Sequence, residues 1–330
     1  MKKSVLILLV VGAGAFLQDI QAQPDAPLRL IRTIPMPDVE GRIDHMALDI
    51  AHQRLYVAAL GNHTLEVLDL GAAKVSQSVA GLKEPQGVVY VPEMGKLFVT
   101  TGGDGKCHVF SGDPLRLVAA LEVGEDADNI RYDAARKKLY IGYGNGALGA
   151  IDPSTLKQLG RITLPGHPES FQLEKAGSNI YVNVPDARQV AVVDLLKQSI
   201  LASWPINNAQ ANFPMALIEA THRVLVATRQ PPKFIVLNAA SGKSVAEMDC
   251  AGDADDLFYD SARKLVYVSC GEGSIDVFAE RDPDHYREVA RIATAPGART
   301  SLWVPELNQL FLAVPHRGGQ QASMRIYGHD

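Results

Sequence analysis

The feature that most constrains this chain is an aromatic or leucine residue, flanked by aliphatic residues, that recurs every 41 to 44 positions. The seven occurrences are Tyr56, Phe98, Tyr140, Tyr181, Leu225, Tyr267 and Phe311. A turn of small or charged residues precedes each one, and a second apolar segment follows it. A period near 42 residues, built from about four short strands, is typical of one blade of a β-propeller. Helical repeats would show an apolar stripe every 3.6 residues or so, which this sequence lacks.

The ends of the chain indicate how such a ring closes. The last unit, from Pro296 to Asp330, contains only three strand-like segments, Thr300–Val304, Leu310–Val314 and Met324–Tyr327. The segment Leu28–Ile34 precedes the first unit, and we predict that it supplies the missing outer strand, which removes two unpaired sheet edges. The alternative is an N-terminal arm outside the ring. The predicted fold is therefore all-β, a seven-bladed β-propeller of four-stranded blades closed by an N-terminal strand.

Two of the repeats resemble a known motif. The segments Tyr56–Asp69 and Tyr181–Asp194 are similar to the YVTN repeat of secreted, surface-layer-type seven-bladed propellers, which are also called YncE-like proteins. The resemblance covers about residues 28–330. It implies the propeller fold, but because most members of this family lack an assigned activity, it implies no particular chemistry.

The first 22 residues have the pattern of a secretory signal peptide. Lys2 and Lys3 are followed by an apolar run from Val5 to Leu17 and by a small residue, Ala22, before the predicted cleavage point. The apolar run is too short for a comfortable transmembrane span. We therefore predict a periplasmic or secreted protein whose residues 23–330 form a single domain with no membrane span.

Charge and cysteine content limit the classes of partner. The net charge is −5 and no block of lysine and arginine with interleaved aromatic residues occurs, which argues against electrostatic binding of nucleic acid. We expect a monomer that binds a small ligand or a protein. Of the three cysteines, Cys250 and Cys270 are predicted at the same end of the propeller, where a disulfide between them is one interpretation, whereas Cys107 has no evident partner.

Polar residues recur at the predicted start of each inner strand, just before the sequence turns apolar. Because the inner strands of a propeller line its axial channel, we predict that these residues gather at one mouth of the channel and bind a ligand there. The predicted set is Asp44, His45, Gln86, Asp128, Asn129, Glu169, Asp255, Asp256 and Arg299.

Metal binding is one interpretation of this set. Asp44, Asp128, Glu169 and Asp255 face a single aligned cation, Arg299, and converging carboxylates repel one another unless a cation relieves them. Calcium would do so, since it takes six to eight oxygen ligands. The alternative is that these groups cap turns and hold ordered water. Four histidines are also predicted near this mouth, and four imidazoles would suit a transition-metal site or acid–base chemistry. Because they come from three blades without paired spacing, we favour the alternative that they are ordinary surface residues. They are His45, His63, His167 and His316.

Three functions fit these observations. The first is an exported binding or scaffold propeller that holds a small ligand, ion or protein at the channel mouth. The second is a calcium-dependent, lactonase-like hydrolase that uses the channel carboxylates, although such enzymes usually have six blades. The third is a subunit of a quinone- or haem-dependent oxidoreductase, but the sequence has no CxxCH haem-attachment motif and only two tryptophans. The sequence favours the first.

Overall fold

The computed structural model of the protein describes residues 28–329, so the predicted signal peptide lies outside the described residues. Seven four-stranded antiparallel sheets follow one another along the chain. The first strand of the described chain is β1 (Arg29–Pro35). Blade one contains β2 (Met46–Asp49), β3 (Arg54–Ala59), β4 (Thr64–Asp69) and β5 (Lys74–Ala80). Blade two contains β6 (Pro85–Val91), β7 (Lys96–Thr101), β8 (Lys106–Ser111) and β9 (Arg116–Glu122).

The middle blades repeat the same up-and-down order. Blade three contains β10 (Ile130–Asp133), β11 (Lys138–Tyr143), β12 (Ala147–Asp152) and β13 (Lys157–Thr163). Blade four contains β14 (Phe171–Leu173), β15 (Asn179–Val184), β16 (Gln189–Asp194) and β17 (Ser199–Pro205). Blade five contains β18 (Gln210–Ile218), β19 (Arg223–Gln230), β20 (Pro232–Asn238) and β21 (Ser244–Asp249).

The last blades complete the ring. Blade six contains β22 (Ala254–Asp260), β23 (Leu265–Cys270), β24 (Ser274–Asp282) and β25 (His285–Ala293). Blade seven contains β26 (Ser301–Val304), β27 (Gln309–Val314) and β28 (Ser323–Gly328). Single 3₁₀ turns span Leu60–Asn62, Pro92–Met94, Pro185–Ala187, Glu219–Thr221 and Pro305–Leu307. No helix within residues 28–329 is long and apolar enough to span a membrane.

Closure by the N-terminal strand is confirmed. Strand β1 pairs antiparallel with β28, and the sheet order of the seventh blade is β1-β28-β27-β26, so β1 is its outer strand. Ile34 is in register with Met324, and both side chains are fully buried. The chain therefore joins its two ends within one sheet.

The core lies between the blades. Residues 28–329 contain seven clusters of buried apolar side chains, and each one is shared by two consecutive blades, including the last and the first. Each cluster contains one of the seven recurring aromatic or leucine residues, all of which are at most 3% exposed. A sheet with two apolar faces must bury both of them. The period of the sequence is therefore the period of this inter-blade packing.

Candidate functional site

The backbone places the same polar position of several blades at one mouth of the channel. The main-chain N–H groups of Asp44, Asp128 and Glu169 each donate to a carbonyl on the second strand of their own blade, at 2.8, 3.0 and 3.0 Å. These bonds extend the sheet by two residues beyond the inner strands β2, β10 and β14. The polar side chains therefore stand at the rim, and the apolar residues that follow them pack deeper between the blades.

A cavity of about 230 Å³ opens at this mouth. Eight of the nine predicted residues line it, namely Asp44, His45, Gln86, Asp128, Asn129, Glu169, Asp255 and Arg299. The exception is Asp256, whose Oδ2 accepts a hydrogen bond from the main-chain N–H of Ser301 at 2.7 Å. Six further residues line the cavity, and they are Arg42, Asp126, His167, Ser170, Phe213 and Arg229.

One side of the cavity is made of ion pairs. Arg42 donates to Asp44 at 2.7 Å, and Arg299 approaches Asp255 at 3.1 Å. Arg229 also donates to Asp255. The aligned starts of the inner strands include only Arg299 among the carboxylates, whereas Arg42 and Arg229 reach the cavity from outside that aligned position. Consequently two of the four predicted calcium ligands, Asp44 and Asp255, are already neutralised by guanidinium groups.

The other side of the cavity is acidic. Asp128 and Glu169 face His167, and within residues 28–329 no lysine or arginine forms a salt bridge with either carboxylate. Burial, reinforced by the charge of Asp128, raises the pKa of Glu169 to about 8. Burial by itself lowers the pKa of His167, but Asp128 and the Gly144 carbonyl outweigh burial and raise that pKa to about 9. The environment thus penalises a second negative charge beside Asp128.

His167 is held in a defined orientation. Its Nδ1 lies 2.8 Å from the carbonyl oxygen of Gly144 and 3.4 Å from a carboxylate oxygen of Asp126. Nδ1–H donates to the Gly144 carbonyl, so Nε2 carries the free lone pair in the neutral ring. Nε2 lies 3.7 Å from Oδ2 of Asp128, which is too long for a hydrogen bond.

Two buried oxygens at the same place lack a hydrogen-bond partner among the described residues. They are Oδ1 of Asp128 and Oδ1 of Asn129, on residues that are 7% and 2% exposed. Most buried polar atoms in proteins have a partner. Both oxygens are therefore available to accept a contact from a ligand on the acidic side of the cavity.

A second cluster lies beside the cavity. Burial raises the pKa of Asp256 to about 7. Burial acts to lower the pKa of His45, but Asp44 and Asp256 outweigh burial and raise it. Arg131 lies with its guanidinium 5.5 Å from the centre of the Phe171 ring, and burial lowers its pKa. The sequence alignment of the repeats did not single out Arg131, because it lies within the inner strand β10 rather than before it.

The remaining histidines and cysteines lie elsewhere. His45 and His167 line the cavity, whereas His63 and His316 do not. The Cys250 and Cys270 side chains are buried free thiols, and Sγ of Cys270 donates to the main-chain oxygen of Val268 at 3.6 Å. A disulfide between them stays a prediction.

Comparison with known proteins agrees with the repeat pattern. No protein-family model matches the chain. Two curated relatives, each named uncharacterized protein YncE, come from Salmonella typhimurium and Salmonella typhi, and each is 25% identical over 233 residues, or 68% of this chain. The seven four-stranded blades supply the matching architecture. The chain is a seven-bladed β-propeller that is similar to these YncE proteins. The match spans 64% of the length of those relatives.

Solved structures support the propeller fold and nothing further. Hydrazine synthase of Kuenenia stuttgartiensis superposes with a TM-score of 0.73 at 14% identity, covering 83% of this chain and 94% of that one. A chain of the mitotic checkpoint complex superposes with a TM-score of 0.78 at 13% identity, covering 99% of both chains. Proteins this distant share an architecture that hosts many unrelated functions.

Proposed function

We propose that this protein is an exported binding propeller whose mouth cavity holds a small cation or a small ligand with a cationic group. The observation that carries the proposal is the unequal distribution of charge in the cavity. Asp44 and Asp255 are paired with arginines, whereas Asp128 and Glu169 lie together without a lysine or arginine salt bridge in the described chain. Burial and the charge of Asp128 raise the pKa of Glu169 to about 8, so a bound cation would favour ionisation of both carboxylates.

The side of the cavity that contains the arginines also supports this assignment, because contacts within the protein already hold those arginines in place. The guanidinium of Arg229 lies 3.8 Å from the centre of the Phe213 ring and donates to Asp255, so its position is fixed on both sides. The guanidinium of Arg299 donates hydrogen bonds to both carboxylate oxygens of Asp253, at 2.6 and 2.8 Å. Both arginines therefore have fixed positions. A bound ligand would add most stabilisation on the acidic side of the cavity.

Thermal unfolding in the presence of small probes tests the proposal. The probes are Zn²⁺, Ca²⁺, 1,4-diaminobutane and, as an anionic control, succinate. A ligand at about 100 times its Kd stabilises a protein by about 2.7 kcal/mol, which for a domain of about 300 residues raises Tm by about 4 °C.

We expect at least one cationic probe to raise the Tm of the wild-type protein, and Glu169→Gln to abolish that rise. Succinate is expected to have no effect. Stabilisation by succinate alone, or by none of the four probes, would contradict a cation-binding cavity.

The calcium-dependent hydrolase is the alternative. Its four predicted ligands divide into a pair that remains available, Asp128 and Glu169, and a pair that arginines already hold, Asp44 and Asp255. Calcium prefers six to eight oxygen ligands. The geometry therefore supports binding of a cation better than a calcium-centred hydrolysis. Calcium-dependent turnover of a lactone, lost on Asp128→Asn, would favour the alternative.

A further inference from the structure

We propose that the cation is a divalent transition metal of the Zn²⁺ class, bound by Asp128, His167 and Glu169. This inference rests on the proposed function and names the ligand of the same cavity. It differs from the calcium ring that the sequence suggested, because one ligand is an imidazole and the metal lies on one side of the channel.

The spacing of the three side chains fits one metal ion. One ligand atom of each residue lies within 4.8 Å of the other two, and His167 Nε2 is 3.7 Å from Asp128 Oδ2. Two ligands bound tetrahedrally at about 2.1 Å from zinc lie about 3.4 Å apart. The pair thus needs a movement of a few tenths of an ångström to reach the coordination distance.

The orientation of His167 is the one that metal-binding histidines adopt. Such histidines donate the N–H of the ring nitrogen that does not bind the metal to a carbonyl or a carboxylate, which fixes the ring and the tautomer. Here Nδ1 lies 2.8 Å from the carbonyl of Gly144, with Asp126 3.4 Å away, and Nε2 is the nitrogen that faces Asp128. A histidine that only paired with the carboxylates would not need this support.

The unpartnered oxygens give an independent indication. Oδ1 of Asp128 and Oδ1 of Asn129 are buried and lack a hydrogen-bond partner within residues 28–329, and both residues line the cavity. A metal ion, or a water molecule bound to it, would satisfy them. Three protein ligands would leave at least one coordination position open to the cavity, as in sites where the metal binds water or a substrate.

The chemistry of the donors selects the class of metal. Imidazole nitrogen suits zinc, copper, iron and nickel, whereas magnesium and calcium prefer oxygen ligands alone. Two carboxylates and one neutral imidazole balance the charge of a divalent ion, so the site can bind such an ion without a cysteine thiolate. The site therefore favours Zn²⁺, Co²⁺ or Ni²⁺ over Ca²⁺.

Isothermal titration of the full chain with ZnCl₂, and in parallel with CaCl₂, tests the assignment. The variants are His167→Gln and Glu169→Gln, and circular dichroism establishes that each one is folded. The matched control is His52→Gln, because His52 also pairs with a carboxylate, Asp49 at 2.7 Å, but lies in an exposed turn outside the cavity. Binding of Co²⁺, followed by its visible absorption, reports whether an imidazole is a ligand.

We expect one Zn²⁺ per chain, binding at least about 100-fold more weakly in either ligand variant and unchanged in His52→Gln. The Co²⁺ spectrum should change in His167→Gln. Equal zinc binding by wild type and His167→Gln would overturn the assignment. Binding of Ca²⁺ that depends on Glu169 but not on His167 would also overturn it, while leaving a cation-binding cavity in place. Absence of any metal binding would overturn it too, and 1,4-diaminobutane would then decide whether the proposed function survives.

Discussion

Gly87 lies where the inner strands of blades two and three approach most closely, and its replacement by alanine tests how the mouth is built. A Cβ atom at this position would lie 2.2 Å from the main-chain oxygen of Asp128 and 2.6 Å from Oγ1 of Thr100. The Thr100 hydroxyl accepts a hydrogen bond from the Gly87 N–H at 2.9 Å and donates to the Asp128 carbonyl. The added methyl group therefore pushes against the backbone that carries a proposed metal ligand.

The magnitude follows from these contacts. Overpacking costs about 1–3 kcal/mol, and the loss of two buried hydrogen bonds adds about 1 kcal/mol each, giving about 3–5 kcal/mol. The entropy of unfolding is about 2.1 cal/mol/K per residue, or about 0.6 kcal/mol/K for about 300 residues. We therefore expect Gly87→Ala to lower Tm by about 5–8 °C.

Differential scanning calorimetry measures this shift, with Gly319→Ala as the control, since a Cβ at Gly319 meets no atom within 4 Å. The control should unfold at the wild-type temperature. If Gly87→Ala lowered Tm no more than Gly319→Ala, the close approach of the two inner strands would be wrong, and so would the position of Asp128.

Three further outcomes are expected. Burial raises the pKa of Asp256 to about 7, so the folded protein keeps a proton that the unfolded chain releases near pH 4, and stability falls between about pH 4 and 7. This shift corresponds to a fall of about 4 kcal/mol in the free energy of unfolding, which Asp256→Asn should remove when urea unfolding is compared at pH 4 and pH 8. An unchanged slope would contradict it. Ile34→Ala in the closing strand should cost about 2–5 kcal/mol by urea midpoint, whereas Ile31→Ala, at a side chain that is 54% exposed, should cost about 0.5 kcal/mol or less. Equal costs would argue against closure through β1. Burial raises the pKa of the Cys107 thiol to about 12, so iodoacetamide should label it in urea but not in the native protein, as mass spectrometry would show.

The fold could be predicted from the sequence because one physical requirement repeats. Each blade must bury both faces of its sheet, so an aromatic or leucine residue recurs once per blade, from Tyr56 to Phe311, and each one lies in its own inter-blade cluster. Closure could be predicted for a related reason. A final unit with three strands leaves an edge, and Leu28–Ile34 was the one segment outside the repeats with the pattern of a strand.

The sequence indicates most of the residues that line the cavity, but it does not indicate how their charges pair. Alignment of the repeats shows which residues begin each inner strand, and eight of nine line the cavity. It does not show which charges meet across the channel, because Arg42 lies before the aligned column and Arg229 enters from the end of β19. Those two arginines, with Arg299, neutralise Asp44 and Asp255. The acidic side then consists of Asp128 and Glu169, which have no such arginine partner among the described residues.

The role of His167 was also hidden in the sequence, because it depends on contacts between blades. Its spacing from the other histidines did not indicate a metal site, because its neighbours Asp128 and Glu169 come from the starts of the inner strands of two adjacent blades. Only the hydrogen bond from Nδ1 to Gly144 shows which ring nitrogen faces them. A sequence search for histidine next to two aligned carboxylate positions of neighbouring blades would have found it.

Anomalous diffraction from crystals grown with ZnCl₂, recorded on both sides of the zinc absorption edge, tests the central claim most directly. We predict one strong peak at the mouth of the channel, within bonding distance of Asp128, His167 and Glu169. A peak on the arginine-paired side at Asp44 and Asp255, or an empty mouth with zinc bound only on the outer surface, would contradict it.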